Sequence, residues 1–168
     1  MVERHPSKLN VSGSNPLFRS FSAFFSEEEL DIVKSLLMLP RWEFGHQSTP
    51  DSKPFWVMEL EDDFFYDIFL QKIRPLLTKK YTVDRVYANG TTYGQYGTLH
   101  QDSLNVDDRT FLIYINAVSG TYFEGYGVHQ PEENSALLFP GYIPHHSIGP
   151  PESFEDLRVT IAYKLLCK

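Results

Sequence analysis

The sequence predicts a mostly β protein with its helices gathered toward the N-terminal end. From residue 81 onward, short runs rich in Val, Ile, Thr, Tyr and Phe alternate with Gly, Pro, Asn and Asp turns. Before residue 81, apolar residues recur at helical spacing. The 168 residues are 42% apolar, enough for one core. Helices followed by about eight strands suit a β-sandwich or small barrel.

Residues 1–17 are polar and carry Pro, Gly and Ser, so a flexible N-terminal arm is expected, ahead of a single domain over 18–168. Within that domain, 18–80 supply helical support and 81–168 the β core. "FFSEEELDIVKSLLMLP" reads as a helix. Ser26 and Glu29 form a capping box, Phe25 staples onto Leu30, and Leu30, Val33, Leu36 and Leu37 make one apolar face that Pro40 ends. "RWEFGHQSTPDSKP" reads as a loop or frayed hairpin, and "FWVMELE" as a strand. "DDFFYDIFLQKIRPLLTKKY" reads as a second helix capped by Asp62 or Asp63, with Phe65, Phe69, Ile73 and Leu76 on one face and a kink at Pro75.

The β runs are "YTVDRVYANG", "TTYGQYGTLHQ", "RTFLIYINAV", "TYFEGYGVHQ", "SALLFPGYI" and "LRVTIAYKLL". "ANG" at 88–90 has the composition of a tight hairpin, with the shaping of a pocket mouth as the alternative. Thirteen Phe and ten Tyr suggest bulky packing or a ring-lined pocket.

A net charge of −7, with no basic run beyond Lys79-Lys80, argues against a nucleic-acid partner. The single cysteine, Cys167, excludes an internal disulfide and a thiolate metal site. No stretch reaches the ~20 apolar residues of a membrane span. "MVERHPSKLN" lacks the apolar core of a signal peptide. A soluble, intracellular, cytoplasmic protein is expected, with no membrane association.

With thiolates excluded, a transition-metal site needs His, Asp or Glu. His100 and Asp102 lie two apart in "TLHQDS", and in an extended segment such residues share a face. Alone, a His-x-Asp is ordinarily a polar loop. A third ligand is available from "PHHSIGP", where neighbours on a strand point to opposite faces, so one of His145 and His146 can join the pair. Two imidazoles and one carboxylate make the facial triad that suits non-haem Fe(II) and leaves positions open for co-substrate and oxygen. Arg158 follows in an apolar run, where a guanidinium can grip a carboxylate with two prongs, and Thr160 faces the same way. His129 reads as a loop histidine, His5 and His46 as solvated, and Glu132-Glu133 as a solvated turn.

These motifs, in this order, resemble the Fe(II)- and 2-oxoglutarate-dependent oxygenases of the prolyl 4-hydroxylase-like branch. The residues that carry the resemblance are "RVYANGTTYGQYGTLHQD", "RTFLIYIN", "SGTYF", "SALLFPGYIPHH" and "LRVTIAYKL". It spans residues 83–166, and 18–82 match the family's flanking helices only loosely. It implies a double-stranded β-helix core (jelly-roll, cupin-like). His100, Asp102 and His145 then resemble the iron ligands, the proline before His145 favouring it over His146. Arg158 resembles the residue that pairs with the far carboxylate of 2-oxoglutarate. Tyr114 falls where a tyrosine hydroxyl meets that carboxylate, Tyr87 where another tyrosine lines the co-substrate pocket, and Asn89 and Tyr93 where pocket walls stand. Ser119-Gly120 departs from the family's paired glycines.

The implied activity is a dioxygenase that hydroxylates a C–H bond and releases succinate and CO2. Its cofactor is Fe(II), its co-substrates are 2-oxoglutarate and O2, and ascorbate is an accompanying reductant. The implied substrate is a prolyl residue in a peptide or protein. A free amino acid or other small molecule is the alternative, as is a non-catalytic β-barrel binding protein. The acidic balance counts against a nucleic-acid demethylase of the same superfamily.

Overall fold

The computed structural model of the chain describes residues 16–168, so His5 and most of the expected arm lie outside the described residues. Two antiparallel sheets face each other. The larger has seven strands in the order β1-β8-β5-β10-β4-β3-β2. These are β1 (Arg19–Phe21), β2 (Glu43–His46), β3 (Phe55–Glu59), β4 (Tyr81–Thr91), β5 (Arg109–Tyr114), β8 (Ser135–Pro140) and β10 (Arg158–Cys167). The smaller has the order β7-β6-β9, from β6 (Thr121–Phe123), β7 (Gly127–His129) and β9 (His145–Ser147). The segment 97–102 extends the smaller sheet through a bridge in which His100 and His145 exchange backbone hydrogen bonds of 3.0 and 2.9 Å.

The helices cover the outer face of the large sheet. Helix α1 (Glu27–Leu37) starts with the expected capping box: Ser26 Oγ accepts from the Glu29 N–H at 3.1 Å, and Glu29 Oε2 accepts from the Ser26 N–H at 2.8 Å. Its Val33 is fully buried against Phe65 and Ile73 of the second helical segment and Met58, Ile161 and Tyr163 of the sheet.

The second helical segment is not one kinked α-helix. Helix α2 (Asp63–Ile68) passes into a π turn (Phe69–Ile73) and a 3₁₀ turn (Arg74–Leu76). Pro75 has no N–H to offer the Gln71 carbonyl, so the α ladder cannot continue. The Arg74 N–H bonds Phe69 O instead, a five-residue step, and the Leu77 N–H bonds Arg74 O. The apolar face survives the change, with Phe65, Phe69 and Ile73 all buried.

Strand β10 shows how the sheet divides the interior. Val159, Ile161, Tyr163 and Leu165 point into the core under the helices. Arg158, Thr160, Ala162 and Lys164 point the other way, into the space between the sheets. The flanking strands keep the same alternation. Tyr87, Asn89 and Thr91 of β4, and Thr110 and Leu112 of β5, share the inner face with them.

Two expected β features are corrected. "ANG" is not a hairpin, because β4 runs straight through Tyr81–Thr91. Glycine at 90 answers a close approach instead: a Cβ there would stand 2.6 Å from Leu157 Cδ2 and 3.0 Å from the Trp42 ring. "TTYGQYGTLHQ" contributes only Thr91 to a strand and then turns, with the Gln95 N–H on Thr92 O, before meeting β9 at His100. Among the described residues no helix is long and apolar enough to cross a membrane.

Candidate active site

A cavity of about 280 Å³ opens between the sheets. His100 and Asp102 reach it from the segment beside β9, and His145 from β9 itself. Their ligand atoms all lie within 4.8 Å of one another. His100 Nε2 is 3.5 Å from Asp102 Oδ1, and His145 Nε2 is 3.4 Å from Asp102 Oδ2. Adjacent ligands of an octahedral ion with bonds of ~2.1 Å stand about 3 Å apart, so the three need only small adjustments to share one ion.

The outer ring nitrogens are already committed. His100 Nδ1 lies 2.7 Å from Thr98 O and His145 Nδ1 lies 2.8 Å from Ile143 O. A carbonyl oxygen only accepts, so each Nδ1 carries the proton and each Nε2 offers its lone pair to the cavity. This donor set fits Fe(II). His146 points away, its ring 5.2 Å from Tyr122 and its Nδ1 on Ser147 O, so of the pair only His145 joins the cluster.

Burial works against charge on Asp102, but hydrogen bonding to His100 and the nearby Lys164 and His145 outweigh it and hold the carboxyl well below its ordinary range. Burial pulls the His145 imidazole down to about 4, against the opposing pull of Asp102. Both groups therefore stand in the ligating form near neutral pH.

Arg158 lies at the other end of the cavity and is 1% exposed. Its Nε donates to Ser119 O at 3.2 Å and its Nη2 to Gly120 O at 3.1 Å, and among the described residues it has no carboxylate partner. Nearby in the lining, the Asn89 side-chain carbonyl and the Thr91 hydroxyl are buried and have no hydrogen-bond partner among the described residues. The Arg158 guanidinium and the Thr91 hydroxyl can both donate to an anion, whereas the Asn89 oxygen only accepts. Thr160 lines the same space.

Gly120 makes this end possible. A Cβ at that position would stand 2.0 Å from His129 O, so the chain passes β7 only as glycine. Ser119 replaces the other glycine of the family pattern without penalty, its hydroxyl donating to Ile148 O at 2.6 Å.

Tyr87 lines the cavity, its ring centroid 5.7 Å from the Lys164 ammonium. Tyr114 stands behind the wall. Its hydroxyl shares a 2.8 Å hydrogen bond with Thr121 Oγ1, burial raises its pKa to about 12, and Thr121 rather than Tyr114 faces the cavity. Tyr93 is exposed, away from the lining.

Two histidines differ from expectation. His46 is half-buried at the cavity wall, packed 5.1 Å edge-on to Phe55, because β2 carries it inward. His129 belongs to β7 rather than to a loop. It is 7% exposed, faces the Tyr114 ring at 5.5 Å, and among the described residues has no partner on Nε2.

Among the residues that sequence reasoning missed, two touch Asp102. Lys164 forms an ion pair with Asp102 Oδ2, and Thr110 Oγ1 donates to the same oxygen at 2.6 Å. The alternation in "RVTIAYK" already puts Lys164 on the face of Arg158 and Thr160.

No protein-family model matches the sequence, and no curated protein matches it. Solved structures match it strongly in fold. A viral collagen prolyl hydroxylase from Paramecium Bursaria Chlorella virus-1, in complex with 2-oxoglutarate, superposes with a TM-score of 0.69 at 16% identity, covering 90% of this chain and 96% of that one. A prolyl hydroxylase from Trichoplax adhaerens, in complex with a hypoxia-inducible-factor peptide fragment, gives 0.68 at 14%, covering 90% and 84%. HygX from Streptomyces hygroscopicus, with nickel, 2-oxoglutarate and hygromycin B bound, gives 0.65 at 12%, covering 89% and 82%. The chain thus has the double-stranded β-helix fold of the 2-oxoglutarate/Fe(II) oxygenases, with a His-Asp-His cluster inside it.

Proposed function

We propose that this protein is an Fe(II)- and 2-oxoglutarate-dependent dioxygenase that hydroxylates a C–H bond, with a prolyl residue of a peptide or protein as its substrate. The observation that carries this reading is the meeting of His100, Asp102 and His145, in one cavity, with a buried Arg158 that has no carboxylate partner among the described residues.

The iron, when bound, supplies the oxidative decarboxylation of 2-oxoglutarate and the attack on the C–H bond. The chain's own residues do the rest. The two Nε2 atoms and Asp102 hold the ion. Arg158, aided by the hydroxyls of Thr160 and Thr91, takes the far carboxylate and orients the keto acid. Phe55, Leu112 and Phe139 make the wall apolar and keep bulk water from the reacting atoms.

Exposed apolar groups near the cluster in sequence support a peptide substrate. Tyr93, Tyr96, Leu99, Leu104 and Val106 stand between 44 and 85% exposed on the segments before and after His100 and Asp102. Exposed apolar groups of this kind suit contact with a peptide chain. The likeness to the two prolyl hydroxylases supports the same reading, and that to HygX supports a small-molecule substrate as the alternative.

The test is succinate release from 2-oxoglutarate by Fe(II)-loaded protein in air, with His100→Ala as control. Prolyl peptides and free amino acids are offered in parallel and weighed for added oxygen. Succinate from the wild type alone, with oxygen gained by a peptide, is the expected result. No succinate under any condition would leave a non-catalytic binding protein.

A further inference from the structure

Lys164 has no part in the reading above, yet its ammonium ends on a ligand oxygen. Its side chain is 19% exposed. It sits on the inner face of β10 directly opposite Thr110 of β5. The two neighbours converge on one atom: Lys164 Nζ pairs with Asp102 Oδ2, and Thr110 Oγ1 donates to that same oxygen at 2.6 Å. Among the described residues, neither group donates to Oδ1; each carboxylate oxygen faces one imidazole, Oδ1 at 3.5 Å from His100 Nε2 and Oδ2 at 3.4 Å from His145 Nε2, but only Oδ2 carries the two donors. Lys164 and Thr110 line the main cavity and also, with Asp102, a second one of about 260 Å³, so both donors stand beside the carboxylate where the two cavities meet.

We propose that Lys164 and Thr110 are positioning residues that hold Asp102 Oδ2 and leave Oδ1 as the one oxygen free for the metal. The inference rests on the iron and 2-oxoglutarate reading. Its physical content is the number of coordination positions. A carboxylate can bind an ion with one oxygen or two. With one, the three side chains take three octahedral positions and leave three, two for a chelating keto acid and one for oxygen. With two, only two positions remain and the chelate fills both. An ammonium and a hydroxyl on Oδ2 keep that oxygen from turning to the ion.

The arrangement has two opposed effects on binding. A fixed positive charge beside a divalent cation repels it, so Lys164 weakens metal affinity. The same charge, and the position it keeps open, favour a dianionic chelator. Loss of Lys164 therefore moves the two affinities in opposite directions. A residue with a merely structural role would lower both.

Co(II) is the probe, titrated without oxygen into the full chain, with 2-oxoglutarate added afterwards. Visible absorption reads both dissociation constants and the coordination number, and no turnover is needed. Lys164→Met is expected to bind Co(II) about tenfold more tightly and 2-oxoglutarate about tenfold more weakly, with a changed ligand-field spectrum. Lys164→Arg restores the donor and both wild-type affinities. Thr110→Val weakens 2-oxoglutarate severalfold and leaves Co(II) within about twofold, since no charge is removed.

Joint loss of both affinities in Lys164→Met overturns the proposal. So does tighter Co(II) with unchanged 2-oxoglutarate, which would make the ammonium a simple competitor for the cation's place. If Lys164→Met does not fold, Lys164→Arg and Thr110→Val still decide between the outcomes: affinities that depart from those stated reject the proposal. A wild type that takes up no Co(II) sinks the function itself, whereas a wild type that binds both while the variants match it sinks only the role of Lys164 and Thr110.

Discussion

On the proposed function, replacing Arg158 by glutamine should separate keto-acid binding from metal binding. The guanidinium is 1% exposed and already spends two donors on Ser119 O and Gly120 O, at 3.2 and 3.1 Å. The donors that remain face the cavity and are available to a carboxylate. A charge-assisted hydrogen bond contributes about 1.5–3 kcal/mol, so a two-pronged contact is worth roughly 3–4 kcal/mol after the glutamine amide recovers part of one bond. That predicts a 2-oxoglutarate dissociation constant raised by about 10²–10³-fold. The proposed metal ligands are untouched, so Mn(II) affinity should change by less than about threefold. The lost bonds to two buried carbonyls cost about 2 kcal/mol of stability, a fall in Tm of roughly 4–8 °C. Calorimetric titration of 2-oxoglutarate into the Mn(II)-loaded protein, beside Mn(II) titration of the apo protein, measures both constants. Equal loss of metal and keto acid, or an unchanged keto-acid affinity, would refute the assignment of Arg158.

Gly120→Ala should destabilise the protein by about 3 kcal/mol, because its methyl would stand 2.0 Å from His129 O and force β6 and β7 apart. Chemical denaturation measures this, and a variant as stable as wild type would contradict the packing. His129 predicts a pH dependence. Burial lowers its pKa from an ordinary 6.5 to about 4, so the unfolded chain takes up the proton first. Its contribution is intact above pH 6.5 and is lost as pH falls toward 4, by roughly 3 kcal/mol in all. His129→Gln should flatten the stability curve between those limits, and a slope equal to wild type's would show that His129 is not the group responsible.

Local rules made much of this protein legible. The capping box at Ser26 and Glu29 joins residues three apart, and both halves of it form. The alternation of β10 is a property of any strand with one face in a core, and it carried Arg158 and Thr160 to one side before any partner was known. His100 and Asp102 needed only an extended backbone to share a face.

The remainder depended on which strand lies beside which. His145 rather than His146 faces the cavity because β9 pairs with β6 on one side and with His100 on the other. Gly90 looked like a turn, and only the nearness of Leu157 and Trp42 explains it. Lys164 meets Asp102 because β10 and β5 set it opposite Thr110, across 54 residues of chain. Periodicity and capping are written within a few residues, so sequence alone determines them. Register and burial join residues far apart along the chain, so only the tertiary structure decided which polar side chains converge.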